Sequence, residues 1–180
     1  FPLPSIYEAF NARVESNFQN WWSEKLEEKE IDIDIKFLRN TIYFARLATM
    51  VQGLLFIEHI SSTENLEINL KEVLQNWSAG CIIRSDLLKE LGDVNLSNTI
   101  TSSEFVHNTL IENLDYIKKV IKKCIDGNIS IPVITSSYNW FVGTSNSFNP
   151  SSLIQAQRDY FGAHQVQLNE SDEITHLDWD

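Results

Sequence analysis

Apolar residues recur at helical spacing through most of this 180-residue chain. Ile6, Phe10, Val14, Phe18, Trp21 and Trp22 step by three and four, which predicts an amphipathic helix. Ser5 and Glu8 stand at the spacing of a capping box for its start, and the charge run from Glu24 to Glu30 is where it should fade. From Lys36 to Ile60 apolar positions are nearly continuous, and a helix apolar on most sides belongs in the middle of a bundle. Shorter helices are expected over 69–76 and over 79–91, with Gly92 near the end of the second. Residues 94–102 have no period and read as a loop.

Thr101-Ser102-Ser103-Glu104 is a second capping box. It leads into Val106, Leu110, Leu114, Ile117, Val120, Ile121, Cys124 and Ile125, the clearest amphipathic stripe, with Gly127 as its stop. Pro132 opens a segment expected to turn helical toward Phe141, and Pro150-Ser151-Ser152 caps a last helix reaching about Phe161. Ile31-Asp32-Ile33-Asp34-Ile35 alternates like a strand but is short enough to be a connector. Beyond His164 the chain is polar and acidic without period, and it should not fold independently. The expected fold is all-α: a helical bundle domain over 1–163 with an extended tail over 164–180.

Charge narrows the function. A formal net charge of −11 disfavours nucleic acid and anionic membranes, both of which need a basic footprint. A phosphate site in such a chain must be local, built from a few converging Arg and His groups. The most apolar window, Leu47–Ile60, is interrupted by Gln52, Gly53, Glu58 and His59, so no membrane span is expected. The start at Phe1 has no basic region or cleavage pattern and reads as an excerpt or a processed end, with the cytoplasm as the default location. Cys81 and Cys124 lie in apolar runs, as small buried hydrophobes do in a reducing compartment. The Asn-x-Ser matches at Asn76, Asn95, Asn128 and Asn169 are what an Asn-rich chain gives by chance.

Several chemistries lack their residues. The six glycines are dispersed, whereas a dinucleotide fingerprint needs three within six positions after a strand. No cofactor-binding or P-loop residue is therefore assigned. His59, His107, His164 and His176 have no His or Cys at ligand spacing, so no metal site is expected. No Gly-x-Ser-x-Gly elbow is present, and no catalytic residue is assigned.

One stretch is far more particular than a helix requires: Ser152-Leu153-Ile154-Gln155-Ala156-Gln157-Arg158-Asp159-Tyr160-Phe161-Gly162-Ala163-His164. Its arginine can fork onto phosphate and its histidine can exchange a proton near neutral pH. This run resembles the C-terminal signature of the 6-phosphogluconate dehydrogenases. Collinear similarities extend it: Pro2-Leu3-Pro4-Ser5-Ile6 through Glu8-Ala9 and Ala12-Arg13, then Gln52-Gly53, Trp77 through Arg84, and Ile131-Pro132-Val133 with Ser136-Ser137.

The resemblance implies an all-helical domain whose tail threads into the partner subunit of a homodimer. It also implies oxidation of 6-phosphogluconate at C3 with NADP, followed by decarboxylation to ribulose 5-phosphate. Arg13 matches the arginine that grips the substrate phosphate, Arg158 a phosphate-binding arginine from the other subunit's tail, and His164 the tail histidine that reaches the substrate. The family's catalytic lysine and acid lie ahead of the matched region, so this portion alone should be inactive. Arg84 reads as a paired structural arginine, and Trp77, Trp140 and Tyr160 as core residues. Phe10-Asn11, Ser78-Ala79 and Gln165-Val166 depart from the family pattern. Two alternatives stay open: a stand-alone dimerisation or phosphometabolite-binding module derived from this enzyme, and a domain of another β-hydroxyacid dehydrogenase, against which the signature run argues.

Overall fold

The computed structural model describes residues 1–18, 20–80, 83–94, 99–147, 150–168 and 173–179. Among them the chain is helical nearly throughout, and it divides into two compact units, Phe1–Phe141 and Val142–Asp180. The all-α expectation holds. Cys81, Asn95 and Asn169 lie outside the described residues.

The first unit is organised by α2 (Ile35–Thr63) and α5 (Glu104–Asp126). Phe44, Leu47, Ala48, Val51 and Leu54 of α2 pack with Val106, Leu110, Ile117 and Ile121 of α5 in one buried cluster. Burying each such side chain contributes about 1.5–3 kcal/mol. α3 (Leu70–Gly80) adds Leu74, α4 (Asp86–Asp93) adds Leu87, Leu88 and Leu91, and α6 (Pro132–Ser145) adds Phe141 edge-on to Phe44. Trp77 and Trp140 pack against this cluster, as expected of core aromatics. Asp34 caps α2 by accepting the Lys36 N–H, and Ser103 caps α5 by accepting from Val106.

Tyr43 of α2 donates to the Glu90 carboxylate of α4 at 2.5 Å. Partial burial, that hydrogen bond and the Glu90 charge together push the phenol up to about 12. Glu58 accepts the Ile100 N–H at 2.9 Å, which fixes buried Ile100, and burial raises its carboxyl above the ordinary value.

Several local expectations are corrected. α1 spans Pro4–Glu15, passes into a single 3-10 turn at Ser16–Phe18 and ends well before the charge run. Trp21 and Trp22 therefore lie off the helix and are 74% and 78% exposed. Ser5 is not the cap: Leu3 occupies that position with no side-chain bond, and Pro4 supplies the first helical residue. α3 runs through Trp77-Ser78-Ala79 without a break, Ser78 Oγ bonding back to the Leu74 carbonyl. α6 is helical from Pro132 itself, and a 3-10 turn covers Ile100–Ser102 inside the expected loop.

Gly127 does stop α5, but at φ −89° rather than in the left-handed region. Its requirement is room: a Cβ there would meet Ile31 Cγ2 at 2.5 Å, because the 24–34 connector packs over it. The Lys29 N–H donates to the Gly127 carbonyl at 3.1 Å and Asn128 Nδ2 donates to the Glu27 carbonyl at 2.9 Å, so the connector is tied to the end of α5.

What Ser5 does instead is tertiary. Its N–H, one of the donors left over at a helix start, donates to Gln52 Oε1 at 3.1 Å. Gln52 Nε2 donates to Ser5 Oγ at 2.8 Å, Ser5 Oγ is 3.0 Å from Ser137 Oγ, and Ser137 Oγ donates to the Val133 carbonyl. Since the Ser137 proton goes to Val133, Ser5 must donate to Ser137. This directed chain joins α1, α2 and α6, and all three side chains are fully buried.

Replacing Gln52 by Leu strands the Ser5 N–H and breaks the chain at its source. The expected loss is about 2–4 kcal/mol in urea unfolding at unchanged m. Gly53→Ala has the opposite sign. Its added methyl meets nothing within 4 Å, so a mid-helix glycine is replaced at a gain of about 1 kcal/mol.

Candidate functional site

α7 (Ser151–Gly162), in the second unit, carries the signature run. Its C-terminus turns at Ala163, which adopts a left-handed conformation (φ 49°, ψ 41°), and Gln165 is left-handed too (φ 63°). His164 thus sits between two residues in a region that non-glycine residues enter at a cost of about 1–2 kcal/mol each. Its ring lies against Gly162, where an added Cβ would come within 2.9 Å of Nε2 and push the imidazole aside. Arg158 points into solvent, its Nη1 donating to Gln155 Oε1 at 3.1 Å. Two candidate ligands of an anion, Arg158 and His164, are therefore both exposed at the end of one helix.

The tail beyond His164 has more order than its sequence suggests. β1 (Val166–Gln167) and β2 (Ile174–Thr175) pair antiparallel, Val166 opposite Thr175. The organising group is Asp159, which sequence reasoning did not single out. Its side chain is 0% exposed. Oδ1 accepts the Gln165 N–H at 2.7 Å and lies 2.9 Å from His176 Nδ1. Oδ2 accepts the Leu177 N–H at 2.9 Å and Trp179 Nε1–H at 3.1 Å. The Trp179 ring then stands edge-on to Tyr160 at 5.6 Å.

Burial alone would raise the Asp159 carboxyl, but the bonds from His176, Leu177, Trp179 and Gln165 outweigh it and hold the group well below the usual carboxylate range.

Arg13 stands in the last turn of α1 in the first unit, exposed, with its carbonyl accepting from Ser16 Oγ at 2.6 Å. Near the start of the same helix, Pro4, Glu8, Ser130, Pro132, Ser136 and Trp140 line an open groove of about 630 Å³. Arg84 is exposed, and its charge is the least of the influences on the neighbouring Asp86 carboxyl. Tyr160 is exposed as well, though its ring meets Phe161 and Trp179. Cys124 is a buried free thiol whose pKa burial raises. Among the described residues no three His, Cys, Asp or Glu side chains cluster as a metal site, and no helix is long and apolar enough to cross a membrane.

Residues 1–179 match the family described as 6-phosphogluconate dehydrogenase, C-terminal domain. A decarboxylating 6-phosphogluconate dehydrogenase of Synechocystis is 28% identical over 99% of this chain and 40% of its own length. The NAD(+)-dependent decarboxylating enzyme of Bacillus subtilis is 29% identical over 85% of this chain and 34% of its own. The fold matches Plasmodium falciparum 6-phosphogluconate dehydrogenase, solved in apo form, with its cofactor NADP+ and with its substrate 6-phosphogluconate. That likeness has a TM-score of 0.77 at 24% identity and covers 99% of this chain and 41% of the other. The chain therefore spans about two fifths of the length of such relatives.

The Asp159 charge sets a pH window. Its folded pKa is depressed, so the contribution to tail docking is fully present above the unfolded value of 3.8 and is lost as pH falls below it toward the folded value. Trp179 indole N–H resonances should stay at their docked position from neutrality to about pH 4 and shift only below that. Undocking well above pH 4 would contradict the assigned role of the carboxylate.

Proposed function

This chain belongs to the 6-phosphogluconate dehydrogenase family as its C-terminal domain, and from that premise we propose that it supplies the substrate-binding and dimerisation portion of a decarboxylating 6-phosphogluconate dehydrogenase. The observation that carries the reading is the family match over residues 1–179. The reaction is the oxidation of 6-phosphogluconate with a nicotinamide dinucleotide and the loss of its carboxylate to give ribulose 5-phosphate, a step of the pentose phosphate pathway in the cytoplasm.

Arg13 and Arg158 hold the substrate phosphate. Two guanidiniums on a dianion give charge-assisted bonds of about 1.5–3 kcal/mol each, and a net charge of −11 makes such a local clamp necessary. His164 reaches the sugar from its rigid turn. Arg158 and His164 come from the partner subunit, the tail over 164–180 docking there, so the site is complete only in the homodimer. Exposed Phe10, Trp21 and Trp22 in the first unit, and Leu153, Ile154 and Phe161 on α7, support the assembly, since each unit leaves large apolar side chains available for an interaction face.

The residues here do not fit a dinucleotide. Gly53 lies in the middle of α2, Gly80 and Gly92 within α3 and α4, and the described strands follow α7 rather than lead a glycine turn into a helix. The domain therefore contributes grip and orientation, while NADP and the proton-transferring residues belong to the remaining three fifths of the relatives' length.

The test uses the native protein that carries this chain, assayed for NADP reduction and CO2 release from 6-phosphogluconate. Arg158→Ala and Arg13→Ala should each raise KM about 10–100-fold, as expected from losing one charge-assisted contact. The isolated 180-residue chain should show no turnover. Unchanged KM in both variants would remove the phosphate assignment. A native mass no larger than this chain's, with binding but no reduction of NADP, would replace the enzyme by a binding module.

A further inference from the structure

Asp159 has no part in the substrate contacts above, yet its buried carboxylate bonds four nitrogens. A fully buried carboxylate is costly in a unit this small unless its charge is used. Its partners come from three places: the Gln165 backbone just past His164, the His176 ring and Leu177 backbone after β2, and the Trp179 indole near the chain's end. Three of them are N–H donors, His176 Nδ1 joins them in the tautomer that carries its proton there, and an ionised carboxylate offers acceptor sites to all four at once.

We propose that Asp159 is a positioning residue of the substrate site: its carboxylate fixes the turn that presents His164 beside Arg158, and locks that turn to the far end of the tail. The proposal rests on the reading of Arg158 and His164 as substrate ligands. It acts through backbone, not through contact with substrate. Oδ1 holds the Gln165 N–H, and Gln165 and Ala163 are the two left-handed residues that flank His164. Strained backbone of this kind persists only where its surroundings over-determine it. The Ala163 N–H donating to the Asp159 carbonyl at 2.8 Å supplies the other fixed point, so one residue grips the turn on both sides of His164. With the turn set, the imidazole rests against Gly162 on the helix that also carries Arg158.

Such preorganisation removes an ordering cost from binding, so its loss should appear in affinity more than in turnover. Asp159→Asn is the sharp probe, because its amide keeps the size and one acceptor oxygen but turns an NH2 group toward two donors. Trp179→Phe is the milder probe, deleting a single donor and keeping an aromatic ring against Tyr160.

The measurement is the Kd and KM for 6-phosphogluconate of the native protein carrying this chain, with kcat alongside. Asp159→Asn should weaken binding about tenfold, within the range that small misplacements of a ligand group cause, with a smaller change in kcat. Trp179→Phe should weaken it in the same direction by about two- to threefold, and it carries the test if the asparagine variant does not fold. In a His164→Ala background, Asp159→Asn should add little, because the group it positions is gone. If His164→Ala and Arg158→Ala weaken binding while both Asp159→Asn and Trp179→Phe leave it unchanged, the positioning role is wrong and the substrate reading stands. Full additivity of Asp159→Asn with His164→Ala also overturns it. If His164→Ala and Arg158→Ala themselves change nothing, the substrate reading fails and takes this proposal with it.

Discussion

α2 supplies much of the buried core between Thr41 and Leu54, and a large polar side chain buried there costs stability unless it is hydrogen-bonded. Gln52 is the larger of its two fully buried polar side chains, the other being Thr41, and both ends of the Gln52 amide are used on Ser5. Because Ser5 passes its proton to Ser137, and Ser137 to the Val133 carbonyl, the bonding is directional and has one arrangement. An apolar interface would let α1 and α6 slide on α2; a directed chain of buried bonds does not, since every slip leaves a donor without a partner. The apolar cluster supplies the stability of the first unit, and the Gln52 chain supplies its register. Arg13 is about two turns along from Ser5 on the helix so fixed.

The second unit repeats that logic with a charge in place of an amide. Asp159 takes donors from the turn and the tail, and turns an acidic, aperiodic segment into a hairpin with a defined position for His164. Both hubs sit inside runs that the family resemblance picked out: Pro4-Ser5, Gln52-Gly53 and Ser136-Ser137 for one, the signature run for the other. Residues far apart in sequence are restricted in type because they share one set of hydrogen bonds.

Periodicity found α2 and α5 because their apolar residues are buried on partners within the same unit. It overran at α1, where Phe10, Trp21 and Trp22 keep an apolar rhythm although the helix ends at Glu15 and these rings face solvent. Rhythm reports apolarity, not what covers it. Ser5 and Glu8 had the spacing of a capping box, but Pro4 starts the helix earlier and Gln52, 47 residues away, takes the free N–H. Gly127 was legible as a stop, while its physical reason, the connector pressed onto it, is a long-range contact that local sequence does not carry. Arg158 and His164 were legible through the signature alone. Asp159 was not, since one acid among 25 looks like any solvated helix residue. The available signal lay downstream: His176 and Trp179 bring two ring nitrogens able to bond a carboxylate to a segment that otherwise has little reason to fold.

The central claim is that this domain holds the substrate phosphate with two arginines drawn from two subunits. A crystal structure of the native protein with 6-phosphogluconate bound tests it most directly. The account predicts the phosphate between Arg13 of one protomer and Arg158 of its partner, with His164 at hydrogen-bond distance from the sugar. A phosphate bound with neither guanidinium in reach, or a site completed within one protomer, would contradict it.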